Sequence, residues 1–158
     1  MEYLTLEDFK VGEKKEFGDY LITKEEIIEF ARKYDPQPFH LDEEAAAKTH
    51  FGGLIASGWM TCSVMMRMFC DHFLNRSASA GSPGVDELRW KKPVFAGDRL
   101  RCVIEVVEVT PSRSRPYLGT VRSKVLVLNQ KDEVVLSLYS IAMFLTRAGL
   151  EQMIENQK

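Results

Sequence analysis

Asp35 and His40 stand five residues apart in Tyr34-Asp35-Pro36-Gln37-Pro38-Phe39-His40-Leu41-Asp42, with two prolines between them. A carboxylate beside an imidazole is acid–base equipment: it can take a proton from water and hand it on near neutral pH, where histidine changes charge. Each proline fixes its own φ at about −65° and pushes the residue before it toward extended geometry. Asp35 and Gln37 are therefore expected to be non-helical, and the segment to be a rigid elbow. Pre-set geometry of this kind is a large part of catalysis. The plainer reading of the same residues is that Asp35 ends one helix and His40-Leu41-Asp42 begins the next.

The elements on either side must hold that elbow. Residues 1 to 16 read as an irregular lead-in and Glu16 to Ile22 as a first strand, weakened by Gly18. Thr23-Lys24-Glu25-Glu26 has the form of a capping box, in which the Thr23 hydroxyl and the Glu26 carboxylate each serve an orphan amide. Ile27, Phe30, Ala31 and Tyr34 then recur at helical spacing, so a helix should end at Tyr34 as the prolines arrive. Asp42 is placed to cap a short helix through Glu43, Glu44 and the alanines that follow.

Next comes Phe51-Gly52-Gly53-Leu54-Ile55-Ala56-Ser57-Gly58-Trp59, whose glycines point to close backbone approach or unusual φ. A long helix from Thr61 to Leu74, starting near Ser57 or Gly58, carries apolar residues on nearly every side. No charge falls between Phe51 and Met66. Such a helix belongs inside the protein.

Beyond a Ser/Ala/Gly loop from Asn75 to Pro83 the pattern becomes that of strands. There is a short strand at Val85 to Trp90, then alternation at Leu100, Cys102, Ile104 and Val106 that switches face at Val107 and Val109. That switch predicts a bulge or bend. Tyr117 to Leu128 and Val134 to Leu145 read as long strands joined by the Asn129 to Glu133 hairpin, and Gly149 to Lys158 as a short frayed helix. One buried helix and several long antiparallel strands make an α+β arrangement in which a curved sheet wraps the helix. Its open edge favours pairing with a second copy, so a homodimer or higher homo-oligomer is expected.

At 158 residues with no repeat or linker, the chain reads as a single domain, 1–158. The net charge of −2 gives no reason to expect nucleic acid or an anionic membrane as partner. No apolar run is long enough to span a bilayer, and Met1-Glu2-Tyr3-Leu4-Thr5 leads into acidic residues rather than a secretory signal. Cys62, Cys70 and Cys102 lie far apart without a CxxC pair, as reduced, core-filling thiols of an intracellular protein do. The expected location is the cytoplasm. His50 and His72 read as structural or surface residues, and no HExxH or paired cysteines indicate a metal. The methionine-rich helix is read as mostly core, part of it lining an apolar tunnel, since methionine adapts to irregular apolar shapes.

The elbow, the glycine-rich run before the buried helix, and Lys92-Pro93-Val94-Phe95-Ala96-Gly97-Asp98 together resemble the MaoC-like, or R-specific enoyl-CoA hydratase, family of hot-dog-fold proteins. The likeness runs from about Thr23 to Phe144. The family's elbow is typically Asp-x-Asn-Pro-x-His; here Gln37 stands where Asn is usual and Pro36 is an added departure. The resemblance implies syn hydration of a trans-2-enoyl thioester to a (3R)-hydroxyacyl thioester, and the reverse dehydration. It gives Asp35 the role of base and His40 that of orienting the water and relaying a proton to the α-carbon. Gly58 matches the glycine whose amide serves as oxyanion donor, a role that suits the amino end of a helix. The substrate is then an acyl-CoA thioester, coenzyme A enters only as its carrier, and no separate cofactor or metal is expected. Two alternatives remain beside it: an acyl-CoA thioesterase on the same fold, and a non-catalytic acyl-CoA-binding subunit.

Overall fold

The structure is a computed structural model that describes residues 2–158; Met1, the first residue of the lead-in, lies outside them. β1 (Lys14–Leu21) leads into α1 (Lys24–Tyr34), the single-turn α2 (Pro38–Leu41), α3 (Glu43–Ala47) and the long α4 (Gly58–His72). β2 (Gly84–Trp90), β3 (Arg99–Pro111), β4 (Leu118–Leu128) and β5 (Val134–Leu145) follow, and α5 (Arg147–Glu155) closes the chain. The strands form one antiparallel sheet in the order β1-β3-β4-β5-β2. Alternating side chains of β3, β4 and β5 point inward, so the sheet's concave face needs an apolar filler. α4 supplies it. Met60, Val64, Met65, Met68 and Phe69 pack into one core with Leu100, Cys102, Val125, Val127, Leu136 and Leu138.

The face switch expected after Val106 is a register shift between Val106 and Glu108 against β4. Gly18 marks a second break, between Phe17 and Tyr20. Its φ is +93°, and a Cβ there would sit 2.4 Å from Met68 Sδ, so the bulge lets β1 close onto α4.

Three expectations need correction. The Thr23 hydroxyl does accept from the Glu26 amide at 3.2 Å, but the Glu26 carboxylate does not return to the helix start. It accepts from the Tyr20 hydroxyl at 2.8 Å instead, since the half-buried phenol between β1 and α1 offers it a donor. The reciprocal cap occurs earlier, where Asp8 Oδ2 accepts from the Thr5 amide at 2.7 Å. Second, α4 is not buried all round: Trp59 and Met66 are 58% and 44% exposed, since the sheet wraps only one side of the helix. Third, only Cys102 is a core thiol; Cys62 and Cys70 are half-buried, and all three are free. Burial pushes Cys102 up to about 12. His50 and His72 are at the surface, as expected. No helix among the described residues is long and apolar enough to cross a membrane.

Candidate active site

The elbow is built by backbone bonds at both ends. The Asp35 amide closes α1 onto Ala31 O at 2.9 Å, and the Gln37 amide reaches back to Asp35 O at 2.8 Å, a tight turn around Pro36. Asp35 (φ −152°, ψ 67°) and Gln37 (φ −83°, ψ 143°) are both non-helical, as the prolines dictate. Pro38 then starts α2, so His40 lies inside a helical turn that begins two residues earlier than the plainer reading placed it, and Asp42 caps the helix after it.

That turn brings His40 back over Asp35. The His40 ring is buried, with Nδ1 2.7 Å from Ile55 O and Nε2 3.2 Å from Asp35 Oδ2. A carbonyl oxygen only accepts, so Nδ1 carries a proton and Nε2 is the nitrogen at which a proton comes and goes. Asp35 is gripped from the other side. Gln37 Nε2 donates to Oδ1 at 2.6 Å and Ser57 Oγ to Oδ2 at 2.7 Å. Burial raises the Asp35 pKa, and the hydrogen bonds from Gln37 and Ser57 with the adjacent imidazole outweigh it, holding the carboxyl below its usual value. The ionised form of Asp35 is thus favoured.

Ser57 ties this pair to α4. It is the helix N-cap, accepting from the Trp59 amide at 3.3 Å while donating to Asp35. Sequence reading missed that second role. The Ser-Gly-Trp start of an apolar helix signals the cap, but nothing local signals a bond to a residue 22 positions earlier. Gly58 follows as the first helical residue, and its amide has no partner among the described residues. Its missing side chain has an occupant: a Cβ would lie 2.4 Å from Trp90 Cε2, and Trp90 Nε1 donates to Gly58 O at 2.8 Å. Glycine is needed here to admit the indole of Trp90, a second residue the sequence did not single out.

Asp35, His40 and Gly58 therefore line one cleft of about 480 Å³, walled by Phe39, Phe51, Val94, Trp59 and Trp90. No methionine among the described residues lines it. Met65 and Met66 line a separate apolar cavity of about 250 Å³ toward the other end of α4, so the methionine lining expected for an acyl tunnel is not part of the Asp35–His40 cleft.

A single helix gripped by a curved antiparallel sheet is the hot-dog fold, here with an acid–imidazole pair at the helix's amino end. The MaoC-like domain family matches residues 8–128, and the chain belongs to that family. A MaoC-like dehydratase from Rhodospirillum rubrum superposes with a TM-score of 0.84 at 39% identity, over 91% of this chain and 98% of that one. A 3-hydroxybutyryl-CoA dehydratase of Methylorubrum extorquens is 32% identical over 86% of this chain and 81% of its own. The 3-hydroxyacyl-thioester dehydratase Z of Mycobacterium tuberculosis is 33% identical over 73% and 79%.

Proposed function

We propose that this chain is a hydro-lyase that reversibly adds water to a trans-2-enoyl-CoA on one face, giving a (3R)-hydroxyacyl thioester. The observation that carries the reading is the Asp35–His40 contact of 3.2 Å beside an unpartnered Gly58 amide, in one cleft. In hydration, a water held between the Asp35 carboxylate and His40 Nε2 gives its oxygen to C3 and its proton to the pair. Asp35 acts as the base that draws the proton, and His40 orients the water and holds the proton. The π electrons move toward the thioester carbonyl, whose growing negative charge meets the Gly58 amide and the amino end of α4. The pair then returns its proton to C2 from the same side. Atoms balance as one water added, and no cofactor or metal takes part. Donors of the Gly58 type contribute about 3 kcal/mol to the transition state, and acid–base groups about 10²–10⁴-fold in rate.

The working form is a homodimer. β2 is an edge strand with Val85 exposed, and Trp59 and Met66 form an uncovered apolar strip on α4. A second copy covers both, and a clean monomer by light scattering at micromolar concentration would count against it.

The test is crotonyl-CoA followed at the enoyl absorption band with free thiol monitored in parallel. Loss of absorbance without thiol release is the expected result, with Asp35→Asn lowering the rate by about 10²–10⁴-fold while the fold persists. Thiol release with the enoyl band otherwise intact would make the protein a thioesterase. Unchanged turnover in Asp35→Asn would reject the assigned roles.

A further inference from the structure

One turn into α4 from Ser57, the cleft wall carries a hydroxyl with no partner. Thr61 lines the cleft with Asp35, His40 and Gly58 and is 2% exposed. Its amide closes the first helical turn onto Ser57 O at 3.2 Å. A helical Ser or Thr often turns its hydroxyl back onto the carbonyl four residues earlier. Ser63 does this to Trp59 O at 2.9 Å, but Thr61 Oγ1 makes no hydrogen bond among the described residues. Nor is it sealed in the core, where Glu26 Oε2 is the one side-chain oxygen or nitrogen left without a partner. The Thr61 hydroxyl therefore reaches the small opening that the residue keeps, and that opening is the cleft. A buried hydroxyl left unpaired is costly, so one kept beside a cleft points to a ligand there.

Its direction follows from the helix. Residues four apart lie one above the other on one face, and side chains lean toward the amino end. Ser57 donates to Asp35 Oδ2 at 2.7 Å, so Thr61 stands one turn further along the face that meets Asp35 and leans back toward the pair. The pair itself supplies acceptors. With Nδ1 protonated against Ile55 O, His40 Nε2 accepts, and so does the Asp35 carboxylate. A water held by both donates both of its O–H groups to them. Of its two lone pairs, one attacks C3 and the other is left for a donor.

We propose that the Thr61 hydroxyl is that donor. It holds the oxygen of the attacking water and, in the reverse direction, the 3-hydroxyl of the (3R)-hydroxyacyl thioester. Thr61 neither gives up nor takes a proton; it fixes where the oxygen sits and which lone pair faces C3. The inference rests on the proposed hydration and deepens it by naming the residue that recognises the oxygen added or removed.

The test is Thr61→Val, which removes the hydroxyl, beside Thr61→Ser, which keeps it. Crotonyl-CoA has no 3-oxygen and (3R)-hydroxybutyryl-CoA has one, so the two substrates should respond differently. In Thr61→Val, kcat/KM should fall about tenfold in both directions, since a variant cannot move the overall equilibrium. With crotonyl-CoA the loss should lie in kcat, and with (3R)-hydroxybutyryl-CoA mainly in KM. Thr61→Ser should recover most of it. The urea midpoint of Thr61→Val should equal or exceed that of wild type, because an unpaired hydroxyl has left the interior.

Unchanged kcat/KM in Thr61→Val overturns the proposal. So does a KM that rises equally for both substrates, which would put the hydroxyl on the shared thioester. A loss that Thr61→Ser does not recover overturns it too, since it would make Thr61 a packing residue. Calorimetry in the slow Asp35→Asn background reads binding apart from turnover. There (3R)-hydroxybutyryl-CoA should bind about tenfold more weakly once Thr61→Val is added, and crotonyl-CoA equally well. That pattern in a protein that hydrates nothing would keep Thr61 as a hydroxyl-binding residue while removing the hydratase reading. Turnover in wild type without that pattern would sink the Thr61 role alone.

Discussion

Replacing Gly58 by alanine separates two reasons for a glycine at that position. The new Cβ would lie 2.4, 2.6 and 2.7 Å from three atoms of the Trp90 indole, so the ring has to move. Overpacking of this kind costs about 1–3 kcal/mol. Displacing the ring also removes the 2.8 Å bond from Trp90 Nε1 to Gly58 O, worth about 1 kcal/mol. Alanine's better helix propensity returns at most about 1 kcal/mol. The net expectation is a loss of about 1–3 kcal/mol in wild type. In a Trp90→Ala background the clash is gone, and Gly58→Ala should be neutral or stabilising by up to about 1 kcal/mol. The coupling between the two sites is therefore about 2–4 kcal/mol, the clash and the lost bond together, at or above the upper end for contacting residues.

Urea denaturation of the four proteins of the cycle measures it. Turnover of crotonyl-CoA adds a second readout, because Gly58→Ala leaves the backbone N–H in place. If the alanine variant loses activity because Trp90 is displaced, kcat should recover in the double variant. An equal cost of Gly58→Ala in both backgrounds would refute the packing argument. Activity that stays lost in the double variant would return the glycine to the substrate carbonyl.

Ser57→Ala removes one of the hydrogen bonds that depress the Asp35 pKa, so the acid limb of the rate profile should move to higher pH. The sign carries over to stability. The depressed Asp35 stabilises the fold above its unfolded value of about 4 and loses that contribution as pH falls through the folded value. The part of the variant's deficit that comes from the bond to the charged Asp35, about 1.5–3 kcal/mol, should thus be full at neutral pH and close in acid. That leaves a pH-independent loss of about 1 kcal/mol from the helix cap. A deficit wholly independent of pH would break the link to Asp35. Tyr20→Phe should cost about 1–3 kcal/mol in urea unfolding. It takes the only donor from Glu26 Oε1, and Glu26 Oε2 is already buried without a partner among the described residues. A cost below about 0.5 kcal/mol would show that Glu26 finds another partner.

Local patterns carried much of the architecture. The proline spacing dictated a non-helical Asp35 and Gln37. The alternation that changes face at Val107 located the β3 register shift, and the uncharged run through Met66 located α4. These are properties of periods and of single-residue backbone preferences, which act over a few positions whatever the rest of the chain does. The same logic failed where a side chain had a choice of partners. Glu26 had a local amide to cap and took Tyr20 across the β1–α1 gap instead.

The sequence by itself determined that an acid and an imidazole ride on a stiff elbow ahead of an apolar helix that a sheet must wrap. Only tertiary structure decided that Ser57 would hold Asp35 across 22 positions, that Trp90 would fill the space beside Gly58, and that the exposed side of α4 would carry Trp59 and Met66. The physical reason is range. Periodicity and proline geometry are written residue by residue, whereas a contact between distant segments exists only after the layers have stacked and fixed which surfaces meet.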